Sequence, residues 1–155
     1  MQYNTSTGAT WARSIPDRIY SQEEPMAETV AAGAPAANDV IQLVIQFNDA
    51  LNAEDLDTMM RLMTGDCVFE NTSPAPDGER YAGQESVRAF WRDFFIASVR
   101  PRIEIEEIYA AGDRCVMRWT YRWLDAQGNP GHVRGVDLYR VENGRIAEKL
   151  SYVKG

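Results

Sequence analysis

The chain has 155 residues, 45% hydrophobic and 25% charged, with a formal net charge of -7 at pH 7. This length and balance predict one soluble globular domain with its own core, and the acidic surface excludes nucleic acid and anionic membranes as expected partners. One histidine, His132, and two cysteines, Cys67 and Cys115, each inside an apolar run, are too few for a zinc or haem site, so no metal or cofactor is expected.

No run of about 18 apolar residues is present. The first residues lack the apolar segment of a secretion signal, so the expected compartment is the cytoplasm, with both thiols free. Residues 1–37 are rich in Ala, Pro, Gly, Ser, Thr and Glu and show no sustained period. They predict a flexible leader with Trp11, Ile15, Ile19 and Tyr20 as its anchors. The domain proper is expected over residues 38–155. Asn38 predicts the cap of a first helix, in which Val40, Ile41, Val44, Ile45, Phe47 and Leu51 recur at spacings of three and four. After a break at 52–55, Leu56, Met59, Met60 and Met63 predict a second helix stopped at Gly65.

A short strand is expected over 67–71, then a loop over 72–82 carrying Pro74, Pro76 and Gly78. Residues 84–97 predict a third helix whose Val87, Phe90, Trp91, Phe94 and Phe95 fall on one stripe. So broad an aromatic face needs a sheet to press against. From Pro101 onward the period is near 2, which predicts strands over 102–110, 114–124, 131–141 and 145–154. The last two meet at Glu142-Asn143-Gly144, where Asn-Gly suits the positive φ angles of a tight hairpin turn. Three helices followed by a meander of long antiparallel strands make an α+β plan, a curved sheet over a helical layer.

Asp137 is the residue that chemistry singles out. It stands mid-strand between Val136 and Leu138, and burying a carboxylate is costly unless it is paired or protonated. A carboxyl group that has lost its hydration in an aromatic hollow is placed for general acid/base work near neutral pH. Lys149, on the partner strand of the hairpin with the same expected facing, offers the opposite reading, in which the two charges neutralise each other.

The order of elements and the segments FNDALNAEDLDTMMRLMTGDCVFEN, YAGQESVRAFW and RGVDLYRVENGRIAEKLSYVKG resemble the NTF2-like superfamily and its SnoaL-like branch, over residues 38–155. The resemblance implies a cone of three N-terminal helices on a strongly curved antiparallel sheet, enclosing an apolar pocket for a small hydrophobic or aromatic molecule. It also implies a homodimer formed through the outer face of the sheet, where Arg118, Arg122 and Arg134 fall. Carried over position by position, the pocket should receive Phe47, Phe69, Asn71, Trp91 or Phe95, Trp119, Tyr121 and Trp123, with Val133, Gly135, Asp137, Lys149, Ser151 and Val153.

The resemblance does not choose a chemistry, because this fold hosts ketosteroid isomerases, limonene-type epoxide hydrolases, polyketide cyclases, dehydratases and proteins that only bind. The isomerase base would stand at Asn71 and the oxyanion tyrosine at Phe47, so both are missing; the second isomerase carboxylate matches Asp137. The Asp-Arg-Asp set of the epoxide hydrolases matches Tyr121, Trp119 and Ser151, and is missing too, although their water-holding asparagine matches Asn71. The acid/base aspartate of the cyclases matches Ser151. One expectation is therefore a cofactor-free isomerase, cyclase or dehydratase, with Asp137 exchanging a proton, Asn71 and Tyr121 holding the substrate oxygen, and Lys149 tuning the charge. The others are a non-catalytic ligand-binding module, an epoxide hydrolase-like enzyme, and an interaction protein that uses the outer sheet face. In the binding and interaction readings Asn71 braces the loop that follows it and Tyr121 is a core aromatic.

Overall fold

The spacing of apolar residues turns one side of helix α1 (Ala37–Asn52) to the core, where Val40, Val44, Phe47 and Leu51 are buried. The computed structural model describes residues 36–98, 101–125 and 127–154. The leader reading for 1–37 and its four anchors lie outside these residues, apart from Ala36 and Ala37. Asn38 does not cap α1: the helix starts one residue earlier, and Ala36 stands at the cap without a side-chain bond. Helix α2 (Leu56–Arg61) is capped by Asp55, whose carboxylate accepts from the Thr58 amide and hydroxyl at 3.0 and 2.6 Å.

The second helix is shorter than its methionines predict. Met63 opens strand β1 (Met63–Glu70), and Gly65 lies inside that strand instead of stopping a helix. The cause is a distant partner. Met63 pairs with Ile146, and the Ile146 amide donates to the Leu62 carbonyl at 2.8 Å, so tertiary pairing overrides the local pattern. The predicted loop also contains a short strand, β2 (Arg80–Ala82), antiparallel to β1. Helix α3 (Gln84–Ala97) occupies its predicted span, held to the end of α2 by Gln84 Nε2 donating to the Met60 and Met63 carbonyls at 2.9 and 3.1 Å.

Strands β3 (Arg102–Ala111), β4 (Arg114–Leu124), β5 (Pro130–Glu142) and β6 (Arg145–Val153) complete a six-stranded sheet in the order β2-β1-β6-β5-β4-β3. It is mixed, not antiparallel throughout, because β1 runs parallel to β6. Positive φ angles at Asn143 and Gly144, 49° and 71°, make the hairpin turn between β5 and β6. Register shifts between Ile105 and Glu107 and between Arg140 and Val141 add to the curl of the open sheet, and the helices pack against it. The edge strand β3 is tied to α1 by the Asn52 side chain, which donates to the Ile103 carbonyl and accepts from its amide, both at 2.8 Å.

Register builds the inner face in rows. Phe69, Lys149, Tyr139 and Cys115 stand side by side across β1, β6, β5 and β4, and the next row holds Ser151, Asp137 and Met117. Val153, Gly135 and Trp119 follow, then Val133 and Tyr121. On the outer face Arg118, Arg122 and Arg134 are exposed and pair with Glu104, Glu106 and Glu107. Hydrogen bonds from Arg134 and Thr120 hold the Glu106 carboxyl down at about 2.

Cys67 and Cys115 are buried, free and pushed up to about 11 by that burial. At neutral pH almost no thiolate is present in the folded protein, and thiolate is the reactive form. In native buffer an aromatic disulfide reagent should therefore label the two thiols only as fast as the chain unfolds, and promptly in denaturant. Prompt native labelling of both would show that these strands are not buried as described.

Candidate ligand-binding site

Asp137 and Tyr139 are two residues apart on β5, so both side chains point to the inner face, and Lys149 and Ser151 do the same on β6. Four polar groups therefore meet inside an otherwise apolar layer. Lys149 Nζ lies 2.7 Å from Asp137 Oδ2 and donates to Ser151 Oγ at 2.7 Å. The Tyr139 hydroxyl donates to the same Asp137 Oδ2 at 3.2 Å. Relative exposure is 1% for Asp137, 3% for Lys149 and 1% for Tyr139, so the pair is not a surface salt bridge screened by water. Burial and the neighbouring Asp137 charge push the Tyr139 phenol well above its ordinary value, which keeps it a donor. The ammonium also sits over three aromatic rings, 5.0 Å from the centroid of Phe69, 5.7 Å from Tyr139 and 5.9 Å from Trp91.

Asp137 Oδ1 differs from its twin. Although buried, it has no hydrogen-bond partner among the described residues, and the same is true of the indole Nε1 atoms of Trp91 and Trp119. All three residues line one cavity of about 110 Å³ between α3 and the sheet. Phe69, Asn71, Tyr121, Val133, Lys149 and Ser151 contribute to its wall, with Phe90, Phe94, Thr72, Ile103 and Val153. A wider depression of about 350 Å³ lies on the outer face beside Arg118, Arg134 and Tyr152, but charged, solvated side chains frame it. The inner cavity is where aromatic walls meet buried polar atoms that protein does not satisfy.

Four residues expected in the pocket are elsewhere, Gly135 among them, which borders the outer depression instead. Phe47 is fully buried one layer deeper, edge-on to Tyr139 with 6.4 Å between ring centroids. Phe95 packs on Trp91 and Phe94 behind the cavity wall, at 6.1 and 5.8 Å. Trp123 stacks on Tyr121 at 5.2 Å, opposite Gly131 and beyond the cavity, beside the depression that includes Arg102, Arg122 and His132. Asn71 lines the cavity and also braces the loop: its Oδ1 accepts from the Thr72 amide at 2.8 Å, and Nδ2 makes a long bond of 3.5 Å to the Ser73 carbonyl.

Tyr139, Phe90 and Phe94 are the additions. Tyr139 was legible as the second residue after Asp137 on the same strand face, and the two phenylalanines belong to the α3 stripe. Among the described residues no three His, Cys, Asp or Glu side chains gather as metal ligands, and no helix is long and apolar enough to cross a membrane.

A sheet curled over helices, with an aromatic hollow on its inner face, is the NTF2-like α+β cone. Residues 44–149 match the SnoaL-like domain, and the chain belongs to that family. It is similar to an NTF2-like protein of unknown function from Mesorhizobium loti, 39% identical over 78% of this chain and 97% of that one, with a TM-score of 0.66. It is also similar to a Mycobacterium tuberculosis protein in complex with estradiol-17beta-hemisuccinate, 25% identical over 76% of this chain and 94% of that one, with a TM-score of 0.63. An LEH-like epoxide hydrolase of M. tuberculosis shares the fold at 23% identity over 77% of this chain and 86% of that one, with a TM-score of 0.66. No curated protein matches the chain.

Removing the lysine alone strands the charge of Asp137 away from water. Lys149→Met should cost about 3–5 kcal/mol in urea unfolding. Adding Asp137→Asn deletes the stranded charge while keeping an acceptor for Tyr139, so the double variant should recover most of that loss. A single-variant cost below about 1 kcal/mol, the range of an exposed pair, would contradict the buried geometry.

Proposed function

We propose that this chain binds a small hydrophobic molecule in the cavity under α3, and that Asp137 acts on it as a general base in isomerase, cyclase or dehydratase-type chemistry without a cofactor. The observation that carries this is the split carboxylate. Lys149 and Tyr139 hold Oδ2, while Oδ1 of the same carboxyl, on a residue that lines the aromatic cavity, is left without a protein partner. A base needs that arrangement: one oxygen fixed, the other facing the proton to be taken. Tyr121 on the wall would hold the substrate oxygen. Asn71 would join it by giving up its long bond to Ser73. The steroid ester held by the 25%-identical M. tuberculosis protein supports binding of a small molecule in a cavity of this kind.

The same ion pair favours a second reading, a module that binds and does not turn over. A carboxylate 2.7 Å from a buried ammonium can stand as one half of a structural ion pair. A homodimer through the outer sheet face, in the cytoplasm, completes the proposal; exposed Leu138 and Tyr152 and the arginines beside them support that face as the contact.

The test compares wild type with Asp137→Asn. Native mass spectrometry should find a co-purified small molecule on both, while turnover of a panel of enone, epoxide and β-keto compounds falls at least about 100-fold in the variant, the scale of a lost general base. Equal turnover by the two proteins would remove Asp137 as the base. Ligand on both with no turnover by the wild type would leave the binding module standing.

A further inference from the structure

The inner cavity is too small to house alone the molecule proposed above, the reading on which this inference rests. We propose that the site continues past Phe90 and Phe94 of α3 and the turn at Asn71 and Thr72 into the groove between that turn and α3, and that the two spaces together take one elongated, uncharged amphiphile, its apolar end inside and its hydroxyl-bearing end in the groove.

Size comes first. Pockets that bury a small organic ligand hold about 300–1,000 Å³, and benzene occupies an apolar cavity of about 150 Å³; the inner cavity measures about 110 Å³. Beside it lies an open groove of about 620 Å³, whose further lining is Ser73, Tyr81, Ser86, Ala89, Asp93 and Ala97. Asn71, Thr72, Phe90 and Phe94 line both spaces, and each of the four is only half-buried. Cavity and groove therefore meet at these side chains, which come from one turn of α3 and the start of one loop.

The aromatic lining runs through the junction. Phe90 and Phe94 stand one turn apart with nearly parallel rings, 6.2 Å between centroids. Phe90 lies 4.9 Å from Phe69 on the cavity side and 4.8 Å from Tyr81 on the groove side. Phe94 lies 5.5 Å from Trp91 and 6.0 Å from Tyr121, both of the cavity wall. An apolar segment reaching from one space into the other thus keeps ring contact along its length.

Polarity orients the occupant. Rings wall the cavity, whereas the groove adds the hydroxyls of Ser73 and Ser86, each able to donate and to accept. Charge then excludes an ionic head. Asp93 is the one charged side chain among the described residues that line the groove, and it lies 2.9 Å from Arg92, just as Asp137 inside is paired with Lys149. An anionic head would meet the Asp93 carboxylate, and a cationic head would compete with Arg92 for it. A hydroxyl head meets neither cost.

The experiment titrates the full-length protein with 1-butanol, 1-octanol, octanoate and octylammonium, following amide chemical shifts by NMR. Butanol should move amides of the inner wall, such as those of Phe69 and Trp119, while octanol should move these together with Ser86 and Ala89. Ala89→Trp fills the groove from α3, and Asp93→Trp fills it from an exposed position where a large side chain is tolerated. Either should weaken octanol about tenfold or more, the worth of about two buried methylenes, and leave butanol within about twofold. Octanoate and octylammonium should bind more weakly than octanol. Octanol affinity unchanged in both variants would overturn the continuous site and leave the inner-cavity reading intact. Tighter binding of either ion than of octanol would overturn the uncharged assignment. No binding of butanol or octanol would bring down both the inference and the cavity reading beneath it.

Discussion

The ammonium of Lys149 and the carboxylate of Asp137, 2.7 Å apart and almost wholly removed from water, are the constraint to which the inner face of the sheet is fitted. Desolvating two charges costs several kcal/mol per ion even after relaxation, and attraction between them repays this only when the remaining lone pairs and protons also find partners. On this chain Ser151 and Tyr139 supply two of those partners, and the rings of Phe69, Trp91 and Tyr139 face the ammonium. One atom, Oδ1, is left over. The polar cluster is therefore complete at Oδ2 and incomplete at Oδ1, on a residue that lines the cavity.

Two glycines of β5 make room for indole rings, and one of them, Gly135, bears on the hollow. A Cβ at Gly135 would overlap the Trp119 ring and the Tyr152 carbonyl, and one at Gly131 would overlap the Trp123 ring. With hydrogen in place of a side chain, β5 lets both indoles lie against it. Trp119 thereby becomes part of the wall of the cavity that Asp137 also lines. Above this floor the α3 stripe supplies Trp91, Phe90 and Phe94 as the roof. Packing of rings on a sheet thus gives the cavity its shape, while the ion pair gives it a polar end.

Most of this was readable from period and turn chemistry. Alternation along β5 and β6 puts Asp137 and Lys149 on one face, and Asn143-Gly144 sets the register that makes them neighbours. The aromatic stripe marks α3 to within its ends. What period cannot give is depth. A period of two names the face to which Trp119, Tyr121 and Trp123 belong, yet how far along the curled sheet the cavity extends depends on the helices above it, and Trp123 lies past its edge. Phe47 and Phe95 went astray for the same reason, since a helical stripe wide enough to meet a sheet includes positions that touch only neighbouring rings. The end of α2 was illegible locally: Met63 follows the helical spacing, but Ile146, far along the chain, claims it for β1. The parallel pairing of β1 with β6 is likewise a long-range event that no turn signal announces.

The Lys149 side chain itself gives the most direct reading of the account. The chain has only one other lysine, Lys154, so side-chain ammonium signals can be assigned without ambiguity. Nitrogen-detected NMR of the folded protein at neutral pH should show one ammonium protected from exchange with water, with through-space contacts to the rings of Phe69, Trp91 and Tyr139. Two ammonium groups that both exchange as freely as a surface lysine, without ring contacts, would mean that the pair is not buried, and the reading of the cavity would lose its foundation.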